Sequence, residues 1–140
     1  MNAAIWRCSQ FAVFVSSMLC QSVVAMAEPK SLIGRWLVED IRRGGVIDRV
    51  QTTLDINASG AIGGTGGCNR FTGRASIAGR RITFGPVAST RMACTPAVMN
   101  QEAKFFAALG DVRAWRNDAA RHKLLLLDGN GNPVIVLARI

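Results

Sequence analysis

Hydrophobic and polar residues alternate along most of the chain after residue 30, which is the pattern of half-buried β-strands. Residues 52–56 show it clearly, because Leu54 and Ile56 share one face and polar side chains occupy the other. Short runs rich in Gly, Asn and Asp separate the alternating segments and predict turns. The pattern therefore predicts strands over residues 35–41, 52–56, 61–65, 74–77, 81–84, 113–116, 123–127 and 134–138.

Residues 96–109 instead have the spacing of an amphipathic helix. Thr95 is a suitable N-cap, Pro96 suits the first helical position, and Gly110 is expected to end the helix. Many short strands and one helix indicate an α+β fold in which the helix covers the apolar face of an antiparallel sheet. The predicted buried stripe consists of Val98, Glu102, Phe105 and Leu109, with Met99 and Phe106 alongside.

The first 27 residues have the organisation of a cleavable secretory signal. One basic residue, Arg7, precedes an apolar run over residues 11–19, and residues 25–27 form the Ala-x-Ala pattern of a cleavage site. We therefore expect cleavage after Ala27, which leaves one domain over residues 28–140. A membrane anchor would need roughly 20 apolar residues, and polar residues interrupt this run. Lipid anchoring at Cys20 is not expected, because the bulky Leu19 precedes it.

Charge narrows the range of partners. The full chain carries a net charge of +8, and the predicted signal removes only one basic residue, Arg7. The basic pairs at 42–43 and 80–81 are not flanked by aromatic side chains that could stack on bases, so we do not expect a nucleic-acid partner. An exported basic domain meets anionic lipid surfaces, and weak contact with them is one expectation. The alternative is that scattered arginines only keep a monomeric domain soluble.

Two cysteines, Cys68 and Cys94, remain after the predicted cleavage. In an oxidising compartment an even, minimal count favours one structural disulfide. The alternative is redox chemistry, because Cys94 precedes the predicted helix and a helix N-terminus activates a thiol. No Cys-x-x-Cys pair supports that alternative.

Two sequence motifs point to a family. Residues 67–73 (GCNRFTG) are followed by residues 89–94 (STRMAC) and then by residues 99–102 (MNQE), after an early Gly-Arg-Trp at 34–36. Together they resemble the META domain over nearly all of residues 33–140, and within that family they look similar to HslJ-like, heat-inducible envelope proteins of Gram-negative bacteria. The motif residues are Gly67, Asn69, Phe71, Gly73, Thr90, Arg91 and Glu102.

The resemblance implies a strongly curved antiparallel sheet, a half-open barrel, with one helix packed against it. It implies no established catalytic activity, and roles in stress response, antibiotic resistance or virulence. The fold it implies is similar to that of a lipid-binding pilotin. We therefore expect a periplasmic, non-enzymatic domain without catalytic residues, metal or cofactor, which binds an unknown protein or an apolar ligand.

Each motif residue has a structural and a functional interpretation. The glycine-rich segment 63–67 favours a sharp bend over a phosphate loop, since no helix follows it, and Asn69 suits local backbone capping. Glu102 lies on the buried helix stripe, so we expect it to reach Arg91 or nearby backbone amides. The alternative role, a catalytic acid, lacks an evident partner. The single histidine, His122, lies between basic residues and does not form a zinc motif.

The aromatic and aliphatic residues allow two interpretations of the interior. A sheet that does not close leaves an apolar concavity that a ligand could enter, whereas a fully packed core would leave no room. The competing functions are a lipid or hydrophobic-peptide carrier, a thiol oxidoreductase, and a binder of anionic lipid surfaces. The predicted ligand-lining residues are Trp36, Leu54, Ile56, Phe84, Phe105 and Leu125.

Overall fold

The computed structural model describes residues 32–140. The predicted signal, its cleavage site and Cys20 lie outside these residues. In the described part of the chain, none of the helices combines the length and the hydropathy needed to span a bilayer. The elements are β1 (Gly34–Ile41), β2 (Thr53–Ile56), β3 (Ala61–Thr65), β4 (Arg70–Ala78), β5 (Arg81–Phe84), β6 (Ala88–Ser89), α1 (Pro96–Asp111), β7 (Ala114–Asp118), β8 (Lys123–Leu127) and β9 (Pro133–Arg139).

All strands pair antiparallel in one sheet with the order β3-β2-β1-β9-β8-β7-β5-β4-β6. Because β3 also pairs with β4, the sheet curves round until its pairing returns to its start. Around this closed circuit of paired strands, the shortest pairing is between β5 and β7, which share one register pair, Arg81 with Ala114. Within residues 32–140, β6 pairs with β4 alone. The prediction of an α+β fold with a strongly curved antiparallel sheet and one helix is confirmed.

Most strands begin and end within two residues of the predicted positions. The main difference is β4, which begins at Arg70, four residues before the predicted start. Its first residues, next to a Gly-Cys-Asn sequence that predicts a turn, are held by pairing with β3 on one edge and with β6 on the other. The two-residue strand β6 was not predicted, because it is too short for alternation to show.

Helix α1 packs its buried side into the curved sheet. Phe105, Ala108 and Leu109 are buried there, and the Phe71 ring of β4 meets the Phe105 and Phe106 rings edge-on at 5.7 and 5.4 Å. Each fully buried large apolar side chain contributes roughly 1.5–3 kcal/mol. These contacts connect the middle of the helix to the start of β4.

The two ends of α1 differ from the predicted capping by Thr95 and the predicted end at Gly110. Pro96 is the first helical residue and Thr95 is the N-cap, but the Thr95 side chain forms no capping hydrogen bond. The prediction that Gly110 ends the helix is wrong. The helix continues to Asp111 and ends where the fully buried Val112 becomes extended and donates its amide to the Leu109 carbonyl, at 3.3 Å.

Candidate functional site

The family-like motifs meet around Glu102, a residue of α1 that is only 5% exposed. Its Oε2 accepts hydrogen bonds from the backbone amides of Cys68 at 3.0 Å and Asn69 at 2.6 Å. Its Oε1 accepts a third from Asn69 Nδ2 at 2.7 Å. The carboxylate is therefore used to hold the β3–β4 loop against the helix, as expected of a buried charge that must be satisfied internally.

Asn69 connects this carboxylate to a third segment. Its Oδ1 accepts hydrogen bonds from Thr90 Oγ1 at 2.9 Å and from the Met92 amide at 2.7 Å. Thr90 in turn accepts from the Arg70 amide at 3.2 Å and donates its own amide to the Arg70 carbonyl at 3.0 Å. The side chain of Asn69 thus joins the helix to the segment that follows β6, which extends the predicted local capping role.

Two glycines make this close approach possible. A Cβ on Gly66 would lie 2.6 Å from Glu102 Cγ and 2.8 Å from Glu102 Oε2. Gly67 has a φ of +125°, and a Cβ there would lie 3.1 Å from Val50 Cγ1. The glycine-rich segment therefore bends the chain and makes space for the carboxylate, as the structural interpretation predicted.

A second polar contact fixes the neighbouring helix residue. Gln101 is buried, donates from Nε2 to Thr52 Oγ1 at 3.1 Å and accepts the Ile47 amide at 2.6 Å. Thr52 donates to the Gly66 carbonyl at 3.0 Å. Residues 101 and 102 together attach α1 to loops on two sides.

Cys68 and Cys94 form a disulfide, as predicted, with their Cα atoms 6.0 Å apart and a sequence separation of 26. The bond joins the β3–β4 loop to the chain just before α1. On the loop-closure model a cross-link of this span is worth roughly 3–4 kcal/mol. Disulfide and Glu102 therefore restrain the same loop from two directions.

The structure does not show Arg91 as a partner of Glu102, although Arg91 was one of the two partners expected for that carboxylate. Arg91 is exposed, and in the described part of the chain it forms no ion pair with Glu102. Of the two partners expected for Glu102, the structure shows the backbone amides. The remaining motif residues, Phe71 and Gly73, lie on β4, where Phe71 is buried and Gly73 faces Val87 and the Pro86 carbonyl.

The predicted ligand lining belongs mostly to the packed interior. Trp36, Leu54, Ile56 and Phe105 are almost completely buried in one core cluster, against which the half-buried Phe84 packs. Leu125 points to the opposite face from Leu124 and Leu126, which are fully buried. Of the two interpretations of the interior, the structure shows the packed core, and these side chains fill the space between sheet and helix.

An apolar groove lies on the outside of this network. It has a volume of about 430 Å³ and runs between the segment after β6 and the flank of α1. Met92, which is 57% exposed, contributes to one wall, and the half-buried Met99 and Phe106 contribute to the other. Asn69 and Glu102 also contact it. Sequence reasoning missed this groove, although Met92 and Met99 next to motif residues were a usable signal.

The other side chains considered for catalysis or metal binding do not form a site in the described part of the chain. His122 is exposed and has a φ of +55° in the turn before β8. Among residues 32–140, no three His, Cys, Asp or Glu side chains come close enough to form a metal-binding group. A second groove of about 270 Å³ lies on the other flank of α1, next to Ile47 and Lys104.

Comparison with known proteins gives the family of this fold and site. The profile of the META domain matches residues 30–139, most of the chain. The chain belongs to the META domain family. No curated protein matches the sequence significantly.

Solved structures agree with this META domain at the level of the fold. An NMR structure of a protein from Burkholderia xenovorans has a TM-score of 0.62 at 22% identity, covering 80% of this chain and 86% of that one. A second NMR structure has a TM-score of 0.59 at 20% identity, with coverages of 81% and 95%. A crystal structure of a DUF4847 family protein from Bacteroides vulgatus has a TM-score of 0.55 at 17% identity, with coverages of 76% and 92%.

Proposed function

We propose that this META domain is a non-enzymatic, HslJ-like binding protein of the bacterial envelope. In this proposal it supports tolerance of envelope stress or antibiotics by binding an apolar ligand or protein segment without covalent chemistry. The observation that carries the proposal is the groove walled by Met92, Met99 and Phe106. Exposed methionine and aromatic side chains are adaptable, polarizable contacts for apolar partners.

The arrangement of the motif residues supports a binding role over catalysis. Glu102, Asn69 and Thr90 satisfy one another and nearby backbone groups, so their polar atoms are engaged within the fold. A rigid frame beside an apolar groove reduces the entropy lost when a ligand binds. The disulfide adds to that rigidity and favours an oxidising compartment such as the periplasm.

Binding can be tested with Nile red, an uncharged fluorescent probe of apolar sites. We expect stoichiometric binding to the folded protein, weakened several-fold by Met92→Gln and by Met99→Gln. Ile47→Gln is the matched control, because Ile47 is an exposed apolar residue that lines the other groove. Equal binding by all three variants, or no binding by the wild type, would contradict the proposal.

Export can be tested by intact-mass spectrometry of protein purified from a bacterial envelope fraction. We expect a chain that begins at Glu28 and that lacks two hydrogens relative to its reduced form, because the Cys68–Cys94 bond is present. An intact mass that includes the first 27 residues, or protein found only in the cytoplasmic fraction, would contradict this part of the proposal.

One observation favours a second candidate, a thiol oxidoreductase. Cys94 is exposed and lies just before the first turn of α1, where an attacking thiol could reach it. Incubation with a glutathione redox buffer separates the two roles. A structural bond stays oxidised, whereas a catalytic bond exchanges within minutes.

A further inference from the structure

The segment that follows β6 has one occupied and one free backbone edge. The amides of Thr90 and Met92 donate to the Arg70 carbonyl at 3.0 Å and to Asn69 Oδ1 at 2.7 Å. Alternate residues of an extended chain present their backbone groups to opposite sides. Arg91 and Ala93 therefore face away from β4, and within residues 32–140 their backbone groups form no hydrogen bond.

The segment that carries this free edge lines the apolar groove. Residues 89–93 form one wall, and Met99, Ala103 and Phe106 of α1 form the other. An occupant would meet unused backbone donors and acceptors on one side and apolar side chains on the other. A peptide strand matches both sides, because it offers backbone groups to one edge at every second residue and projects side chains from its faces. An acyl chain would leave the backbone groups unpaired.

Charge indicates what kind of peptide fits. Arg91 lines the groove, is exposed and forms no salt bridge within the described residues. The carboxylate of Glu102, which also lines the groove, already accepts three hydrogen bonds. An acidic side chain would therefore complement Arg91. Pairing two copies of this chain edge to edge would instead bring two arginines together.

We propose that residues 89–93 bind an extended, acidic and apolar segment of another protein by β-strand addition. The apolar side chains of that segment pack against Met99 and Phe106, and an acidic side chain meets Arg91. The inference rests on the proposed function, binding in this groove, and adds the class of partner. Five residues of edge correspond to a strand of roughly 16 Å, so about five residues of the partner take part, and a hexapeptide spans the edge.

N-methylated peptides test the backbone contacts without changing the protein. The probe is a fluorescein-labelled hexapeptide of alternating aspartate and leucine, whose binding is followed by fluorescence anisotropy. One derivative is N-methylated on every aspartate and the other on every leucine, so each loses the amide hydrogens of one edge only. We expect one derivative to bind about tenfold or more weaker and the other to bind as well as the parent peptide. Equal binding by both derivatives would overturn strand addition.

Amide hydrogen exchange tests the same contacts from the protein side. In the free protein, Thr90 and Met92 should exchange more slowly than Arg91 and Ala93. Saturating peptide should slow Arg91 and Ala93 and leave Thr90 and Met92 unchanged. Protection of Arg91 and Ala93 in the free monomer would show that the edge is already occupied within the chain, for example by residues 28–31 of the mature protein. Protection that rises with protein concentration would show a second copy, and either result would overturn the proposal.

Two further measurements distinguish a failure of this inference from a failure of the proposed function. Arg91→Gln should weaken binding of the aspartate-containing peptide and have little effect on a peptide with asparagine in place of each aspartate, because only the first peptide offers a negative charge to Arg91. If the parent and both methylated peptides displace Nile red equally, the groove binds apolar ligands but strand addition is wrong. If neither Nile red nor peptide binds, the proposed function itself fails.

Discussion

Glu102 lies on the buried side of α1, where an unpaired carboxylate would be strongly destabilising. It is tolerated because three N–H groups of the β3–β4 loop surround it, two on Oε2 and one on Oε1. Asn69 supplies two of those donors and uses its oxygen to hold the segment after β6. The side chains of Glu102 and Asn69 therefore connect α1, the β3–β4 loop and the segment after β6 to one another.

Replacing Glu102 by Gln should destabilise the fold by about 1–3 kcal/mol. The introduced NH₂ group would face a donor, either Asn69 Nδ2 or the two backbone amides. Chemical denaturation measures the change, and Glu39→Gln is the control, because Glu39 is exposed and pairs with Lys123 at the surface. Adding Asn69→Asp should recover part of the loss, since the introduced carboxylate can accept from the introduced amide. Wild-type stability of Glu102→Gln would contradict the account.

Gly66→Ala should also destabilise the folded protein, by roughly 1–3 kcal/mol, because the new Cβ would overlap the Glu102 side chain. Gly110→Ala makes the same chemical change inside α1, where a Cβ meets nothing within 4 Å. That control should stabilise the protein by up to about 1 kcal/mol through helix propensity. Thermal melting of the two variants gives the comparison, and a shift in the same direction for both would refute the steric argument.

At the scale of elements, the β8–β9 loop shows a local order that depends on charge. Asp128 Oδ1 accepts the amides of Asn130 at 2.8 Å and Asn132 at 2.9 Å. The hydrogen bond from the Asn132 backbone is the main cause that lowers the pKa of Asp128 from its usual 3.8. The loop is therefore organised around an ionised side chain between the last two strands.

The pH dependence of this loop has a definite sign. Because the folded-state pKa of Asp128 is lowered, its contribution is present above pH 3.8 and is lost as the pH falls below that value through the folded-state pKa. The wild type should melt at a higher temperature than Asp128→Asn at pH 7. This difference in melting temperature should disappear in strong acid. Asp48→Asn is the control, since Asp48 is exposed and accepts no hydrogen bond within residues 32–140. A difference independent of pH would contradict this assignment.

At the scale of the molecule, periodicity predicts the α+β fold but not every surface that results from it. Leu54 and Ile56 alternate with polar residues, so their face is evident from sequence. The four consecutive leucines of β8 provide no such contrast, and their inner face is set by pairing, with Leu126 opposite the buried Trp115. Met92 and Met99 next to motif residues could have indicated apolar side chains near the surface, but the position of the groove could not be predicted, because it depends on which flank of α1 lies beside residues 89–93, a tertiary property.

The disulfide acts on the whole fold, because it fixes the start of α1 to the loop that Glu102 also holds. Closing that loop restricts the unfolded chain, so Cys68→Ala/Cys94→Ala should lose about 3–4 kcal/mol. For a domain of this size the melting temperature should then fall by about 10 °C or more. Dithiothreitol should lower the melting temperature of the wild type to a similar extent and leave the double variant unchanged. If the oxidised wild type and the double variant melt together, the hydrogen bonds of Gln101 and Glu102 and the packing of Phe71 against α1 hold the helix against the sheet without the disulfide, and the disulfide adds nothing to the stability of the groove.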